Sequence, residues 1–470
     1  MKTGVLVTVV LLLSGCTLGP DYKRPPVPRP PSFRGVTSSD TGATGSLADL
    51  AWWNLFQDEI LQELIKTTLR ENQDLRAAAA RVLEGRALVT IARSFQFPFV
   101  NASASGTWSH IEGRRSSLQF QDALVGTGGF DVGFEIDFWG RFRRGTEAAR
   151  AAFLATQEAR RVVVTTLVSD VASTYFFLRA LDLERDIARQ TLASRQEALR
   201  LVKMRASGGV AALIDVHQSE ILVAQAAEVI TDADRAIEQT ENALSVLLGK
   251  TPEAMPRGRP VGEQFAAPPA PPGVPSALLE RRPDIQQAEA ELHAATARIG
   301  VAKADYFPRV FLSGAAAAGG ISLDGSTFGP QGLFAIGPSI TLPIFNAGRT
   351  GAGVDAARAR AEEAVARYRQ TILQAFREVA DGLVEYRKRQ EFRVQQEALV
   401  IASRDTTRLA NIRYRGGVSS YLEVLDSERQ LFDSELGLVR SRRDEVLAVV
   451  RIYKALGGGW QESDGHARVP

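Results

Sequence analysis

The chain has one cysteine, three methionines and four histidines in 470 residues. One cysteine permits no intrachain disulfide and no cysteine-rich metal site. His110, His217, His293 and His466 are scattered and show no metal-ligand spacing of the HExxH type. No nucleophile elbow and no phosphate-loop motif occurs, and the glycine clusters sit at turns. Enzymatic chemistry therefore has no residues to rest on, and no cofactor is implied. Three methionines give no support to a methionine-lined copper or silver route. The net charge of +2 exerts no strong pull toward nucleic acid. No stretch approaches the roughly 18 apolar residues of a membrane-spanning helix.

The longest apolar run is Val5 to Leu13, broken by Thr8 and preceded by Lys2. A short basic start, a short apolar core and small residues at its exit make a secretory signal, read here as residues 1–15. It ends Leu13-Ser14-Gly15-Cys16. That order resembles the bacterial lipobox, which implies a mature chain starting at a lipidated Cys16. The alternative is a plain signal peptide with an incidental cysteine. Thr17 follows, not the aspartate that often retains lipoproteins at the inner membrane, so the resemblance implies the outer membrane. Residues 16–57 form a Pro-rich, then Ser/Thr/Gly-rich arm of extended chain. Trp52 and Trp53 are expected to staple this arm onto the first helix.

Two copies of one turn organise the remainder. RASGGVAALIDVHQSE begins at Arg205 and RYRGGVSSYLEVLDSE at Arg413, with seven of sixteen positions identical. Such similarity marks an internal duplication. In each copy a long helical pattern runs into Gly208-Gly209 or Gly416-Gly417, and a second helix follows. The glycines supply the permissive backbone of a sharp reversal. Asp215 and Glu423 fall at the same offset past the turn. Their simplest role is to sit against the positive end of the returning helix.

The first repeat, 58–250, starts with a helical pattern to about Arg93, stopped by Phe97-Pro98. The period then changes to two. Val100, Ala102, Ala104, Gly106 and Trp108 alternate with polar residues. A loop is expected over roughly 111–128. Phe130, Val132, Phe134, Ile136 and Phe138 then alternate with Asp131, Gly133, Glu135 and Asp137. Each run is about 10 residues, the length a tilted strand needs to cross a bilayer core. A helical pattern returns to about Arg205; at 1.5 Å per residue it is about 100 Å long. A helix over about 212–248 completes the repeat.

Residues 251–277 form a Pro-rich junction. The second repeat, 278–456, follows the same order. Arg282-Pro283-Asp284 opens a helix, Phe307-Pro308 stops it, and strands are expected over 310–319 and 334–342 around a loop near 320–332. Pro338 and Pro343 weaken the last strand. A long helix from Gly351 to Tyr414, the second turn and a last helix follow, then an irregular tail, 457–470.

Four strands cannot close a barrel, and open edges are not tolerated in lipid. Strands that span a membrane must therefore be pooled by several chains. The helices would form a coaxial tube. Duplication, signal, four amphipathic strands and giant helices together describe an α+β membrane channel-tunnel.

The stretches FEIDFWGRFRR (134–144), RRPDIQQAEAELHAATARIGVAKADYFPRVFLSG (281–314), LPIFNAGR (342–349) and YRGGVSSYLEVLDSE resemble the signatures of the outer membrane factor family. With the lipobox, the chain is similar to its NodT-type lipoproteins. The resemblance implies a homotrimer with a twelve-stranded outer membrane β-barrel and a periplasmic α-barrel of coiled-coil helices. It implies outer membrane lipid, a periplasmic adaptor and an inner-membrane pump, often of the resistance–nodulation–division type, as partners. The function it implies is the exit duct of a tripartite efflux system. The outer membrane duct of a type I protein secretion system is the alternative within the class, and a periplasmic coiled-coil scaffold the alternative outside it. The family's gate acid falls on Asp215 and its gate tyrosine on Tyr414. Its gate arginine is replaced by Ser419, leaving Arg413 or Arg415 as substitutes. Its inward acids fall on Glu423 and Asp426, which threefold repetition would turn into carboxylate rings.

The N-terminal reading has a direct check. Mass spectrometry of the mature protein should find Cys16 at the N-terminus, carrying lipid. Cys16→Ala behind a substitute signal peptide should lose the lipid and still trimerise in the outer membrane. An unmodified Cys16 in the native protein would refute the lipid assignment.

Overall fold

The computed structural model describes residues 17–27, 30, 32–34, 46–110, 122–258 and 275–459. Cys16, the expected signal, residues 111–121 of the expected loop, much of the Pro-rich junction and the end of the tail lie outside the described residues. The chain divides into two units. One takes residues 1–26, 81–157 and 287–369; the other takes 27–80, 158–286 and 370–470.

The first unit contains the sheet. Its strands are β1 (Phe99–His110), β2 (Asp122–Ile136), β3 (Arg309–Leu323) and β4 (Ser326–Thr341). They pair antiparallel in the order β1-β2-β3-β4, so β1 and β4 each leave one edge open. Val100 pairs with Val132, Val132 with Gly314, and Gly314 with Ile336. Ala102, Phe130, Ala316 and Phe334 form the next row. Directly paired residues share a face. The register therefore puts Phe130, Val132, Phe134 and Ile136 on one face, with Phe334 and Ile336. Asn101 and Asp131 lie on the other face and are hydrogen-bonded at 3.0 Å; Ser105 and Thr127 join them there at 2.8 Å.

Several boundaries differ from the sequence reading. β2 begins at Asp122, inside the expected loop, and ends at Ile136, so Phe138 is not on a strand. The loop expected near 320–332 is a two-residue turn at Asp324-Gly325, with φ of 45° and 83°. That is the geometry of a tight hairpin. β4 continues through Pro338, paired with Leu312, because β4 is an edge strand of this sheet. Gly133, expected to be an open polar-face position, is buried. A Cβ there would lie 2.3 Å from the Phe99 ring and 2.7 Å from that of Phe311.

The helices that adjoin these strands in sequence are α3 (Gln73–Ser94), α4 (Arg141–Ser207), α7 (Pro283–Ala304) and α8 (Arg349–Arg415). In the first unit α7 packs on α8 through Ala295, Ile299, Ala357 and Ala361. The arm over 17–26 is held here too. The Leu18 N–H donates to the Trp139 carbonyl at 3.2 Å. The Tyr22 ring stacks on His293 at 4.7 Å, and Arg24 pairs with Glu289 at 2.7 Å. At its other end the arm meets the first helix as expected: Trp52 is buried, and Gln62 of the Glu59–Glu71 helix donates to the Trp53 carbonyl at 2.8 Å.

The second unit holds α1 (Trp52–Leu55), α2 (Glu59–Glu71), α5 (Leu213–Leu247), α6 (Pro275–Arg281) and α9 (Tyr421–Ala455), with the adjoining parts of the long helices. α4 and α8 each have 67 residues, and α5 and α9 each have 35. The duplication thus shows in the matched lengths of the long and returning helices. α4 contains an 18-residue window of mean hydropathy 1.3, apolar enough to cross a membrane by composition, but half of it is buried in the fold. The sequence reading missed this window because threonine, serine and one aspartate interrupt it. The described start of the junction is fastened down: Met255 is buried, and Arg257 pairs with Asp182 at 2.8 Å and Glu241 at 2.6 Å.

The sequence also predicts one helix where the structure has two. Asn72 adopts an extended backbone and splits α2 from α3. Its Oδ1 accepts from the Leu75 N–H at 3.0 Å and its Nδ2 donates to the Leu247 carbonyl at 2.9 Å. In the second repeat Arg282 fills this place, ahead of Pro283 at the first helical position, where a missing N–H costs nothing. Arg282 donates to the Ala455 carbonyl at 2.9 Å and pairs with Asp284 and Glu378. Leu247 and Ala455 are the last residues of α5 and α9, so both side chains satisfy an orphan carbonyl of the returning helix. Burial alone would lower the Arg282 pKa, but Asp284 and Glu378 raise it.

Removing Arg282 leaves two carboxylates and a carbonyl without their partner. Arg282→Ala should cost about 2 kcal/mol, chiefly through the buried Ala455 carbonyl it leaves unpaired, and Asn72→Ala about 1 kcal/mol. Denaturant unfolding of the detergent-purified protein, followed by tryptophan fluorescence, should rank them in that order. Equal midpoints would contradict the role given to Arg282.

Candidate functional site

The two helix reversals lie in the second unit and are built alike. The Val210 N–H donates to the Arg205 carbonyl at 2.9 Å, and Gly209 to Ala206 at 3.0 Å. In the second copy Val418 donates to Arg413 at 3.1 Å, and Gly417 to Tyr414 at 3.0 Å. This pattern ends a helix with one left-handed residue. Gly209 and Gly417 are that residue, with φ of +78° and +73°. Gly208 and Gly416 precede them in ordinary conformations. The returning helices have Ala212 and Ser420 as N-caps, and neither side chain accepts a capping bond from the first-turn N–H groups. Asp215 and Glu423 sit in the first turns, where a helix end favours negative charge.

The hairpins pack on one another. Val202, Val216 and Leu222 from the first share a core with Ala410, Tyr421, Val424 and Leu425 from the second. Tyr414 packs at the edge of this core, its ring 4.9 Å from that of Tyr421. The Arg205 guanidinium lies 4.9 Å from the Tyr414 ring centre, joining the hairpins by a cation–π contact. Farther along, the buried Arg195 donates to the Leu222 carbonyl at 2.7 Å and lies 4.8 Å from the Phe432 ring. Burial lowers the Arg195 pKa, against Glu428 and Asp433. Burial raises that of Glu428, against Arg195.

The expected site residues fall into separate small groups. Arg413 pairs with Glu423 at 3.3 Å within one hairpin. Asp426 pairs with Arg429 at 2.6 Å. Burial raises the Tyr421 pKa; Glu428, Tyr414 and Asp215 add to this, and a hydrogen bond with Ser219 opposes it. Asp215 is therefore near Tyr421, and its backbone carbonyl accepts from Ser219 at 2.8 Å. Arg415 is exposed. Among the described residues the Ser419 hydroxyl is buried without a partner. The sequence reading missed Arg205 and Tyr421. Arg205 occupies the place of Arg413 in the repeat, so comparing the copies could have flagged it. Tyr421 replaces Leu213, an aromatic gain that periodicity cannot separate from ordinary core. Among the described residues no cluster of three or more metal-ligating side chains occurs.

A sheet with two open edges, one apolar face and duplicated 67-residue helices defines the class of barrel-and-tunnel channel proteins. Residues 64–250 and 274–458 match the family model described as outer membrane efflux protein, and the chain belongs to that family. It is 37% identical over 476 residues to the probable efflux pump outer membrane protein TtgC of Pseudomonas putida, covering 98% of this chain and 96% of that one. It is 33% identical to the cation efflux system protein CusC of Escherichia coli over 97% of this chain and 98% of that one. The open state of the Neisseria gonorrhoeae MtrE outer membrane channel superposes with a TM-score of 0.83 at 30% identity, covering 95% of this chain and 99% of that one. The protein is an outer membrane efflux channel component.

Proposed function

We propose that three copies of the chain form a passive duct across the outer membrane. Their sheets pool into a twelve-stranded barrel, and their helices into a periplasmic tube. The duct receives small toxic compounds from an inner-membrane pump of the resistance–nodulation–division type, through a periplasmic adaptor, and does no chemistry of its own. The four-stranded sheet, open at both edges and apolar on one face, is the observation that supports this reading most directly. The names of the relatives agree with it. The repeats at 58–250 and 278–456 supply matching halves of barrel and tube. The arm at 16–57 begins at a lipid on Cys16, which adds anchoring at about 0.8 kcal/mol per buried methylene. The junction at 251–277 and the tail at 457–470 complete the periplasmic portion.

In this reading the two turns lie at the pump end of the tube. Asp215 and Tyr414 hold the resting aperture shut, and Arg205 supplies the cation that Ser419 does not. Threefold repetition makes Glu423 and Asp426 into two carboxylate rings that favour cations. Each acid has an arginine in its own hairpin, so the rings are partly neutralised.

Two experiments test the reading. Phe334 and Ala335 are neighbours on opposite faces in mid-strand. Phe334→Arg should cost about 2–4 kcal/mol and Ala335→Arg much less. The yield of heat-resistant trimer in outer membranes should fall for the first alone, and equal yields would remove the support for the barrel. Single-channel recording in planar bilayers tests the aperture. Asp215→Ala with Tyr414→Phe should raise conductance, as should Arg205→Gln. Glu423→Ala with Asp426→Ala should reduce cation preference. Unchanged conductance and selectivity would sink the gate assignment and leave the fold intact.

A further inference from the structure

Beyond β4 the chain makes an exposed step before α8. Ile344 and Phe345 are 94% and 89% exposed, the extreme among the large apolar side chains of the described residues. They follow Pro343 at a bend, past the end of β4 and just before the turn at Ala347-Gly348. The step is shaped rather than slack. Asn346 donates to the Thr350 hydroxyl at 2.6 Å, and the Arg349 N–H to the Asn346 carbonyl at 3.1 Å. Ala347 has φ of 51°, a left-handed conformation that disfavours a residue with a Cβ. That turn follows two apolar side chains held out into the open.

The open sheet edges say where these side chains go. β1 starts at Phe99, which pairs with Gly133 near the end of β2. β4 ends at Thr341, which pairs with Arg309 at the start of β3. The start of β1 and the end of β4 are thus at the same end of the sheet. When β4 of one copy pairs with β1 of the next, the two strands run antiparallel. Residues just past β4 then come alongside residues just before β1. Those residues form an aromatic shelf. Phe95 and Phe97 are both more than half exposed. Phe95 stacks on Phe142 at 5.8 Å, and the Arg93 guanidinium lies 5.8 Å from the Phe97 ring.

We propose that Ile344 and Phe345 dock on the Phe95 and Phe97 shelf of the adjacent copy, an apolar plug that seals each seam where sheet gives way to helix. The proposal rests on the reading that several copies share one barrel. The occupant is a second copy of this chain, because pairing of β4 with the next copy's β1 brings that copy's exposed Phe95 and Phe97 alongside this step. Sealing matters here because an apolar contact excludes water from the last edge hydrogen bonds of the barrel.

Cys16 is the sole cysteine, which makes cross-linking clean. The full chain carrying Phe97→Cys and Phe345→Cys is expressed in outer membranes and treated with a short bis-maleimide. Denaturing gels should show covalent dimers and trimers for the double variant and none for either single variant. A second pair, Phe95→Cys with Ile344→Cys, should behave the same and decides the matter if the first pair does not assemble. Unheated gels of the same samples report trimer formation separately. Trimers without cross-links in either pair would overturn the plug and leave the shared barrel standing. Labelling of Phe345→Cys by a lipid-soluble maleimide in those trimers would assign the residue to the bilayer instead. No trimer even for the unsubstituted chain would overturn the shared barrel and the plug with it.

Discussion

Backbone hydrogen bonding in lipid is the constraint on which the rest depends. In hydrocarbon every N–H and C=O must find a partner, and water supplies none. β2 and β3 satisfy both of their sides within the chain. β1 and β4 satisfy only one each. A four-stranded sheet is thus an unfinished object, and no side-chain arrangement on its faces repairs that. Antiparallel order makes the two free edges complementary, since β1 and β4 run in opposite directions. The same chain can therefore supply both halves of every seam. The duplication fits this economy: each repeat contributes one strand that pairs on both sides and one that waits for a neighbour.

The two repeats keep their backbones and diverge in their side chains. The long helices match in length, the returning helices match in length, and the Gly209 and Gly417 turns have the same hydrogen bonds. At the break before α3 and α7, Asn72 and Arg282 solve one problem with different chemistry. Each must satisfy the last carbonyl of a helix returning from far along the chain. Asparagine does so as a neutral cap. Arginine brings a charge into the core and needs Asp284 and Glu378 beside it. The RPD triplet is the visible trace of that more demanding solution.

Local periodicity explains what the sequence revealed. Period two exposed the faces of β2, and period 3.6 exposed helices whose ends agree with the structure to within a few residues. The glycine pairs marked both reversals, although only the second glycine of each pair needs a positive φ. The features that stayed hidden are non-local. Gly133 looks open until the Phe99 and Phe311 rings from neighbouring strands close over it. The split at Asn72 depends on a carbonyl at Leu247. The extra length of β2 and β3 comes from pairing with each other through glycine- and alanine-rich stretches that carry no alternation of their own. Arg205 meets Tyr414 only because two turns 208 residues apart pack together. The family resemblance pointed to Tyr414, but the residue that touches it had to come from the structure.

The chemistry joining the two hairpins follows from Ser419. With no arginine there, the second hairpin cannot reach across with a charge of its own from that position. Arg413, the nearest candidate, is engaged by Glu423 in the same hairpin. The cation instead comes from the first hairpin, and it meets a ring rather than a carboxylate. An exposed cation–π contact is worth about 0.5–1 kcal/mol, similar to an exposed ion pair. The two differ in their sensitivity to conditions. An ion pair on the surface is lost when its carboxylate is protonated and is weakened by salt. Arginine stays charged throughout the physiological range, and an aromatic face has no proton to gain. The Arg205–Tyr414 contact therefore joins the two hairpins without depending on any carboxylate.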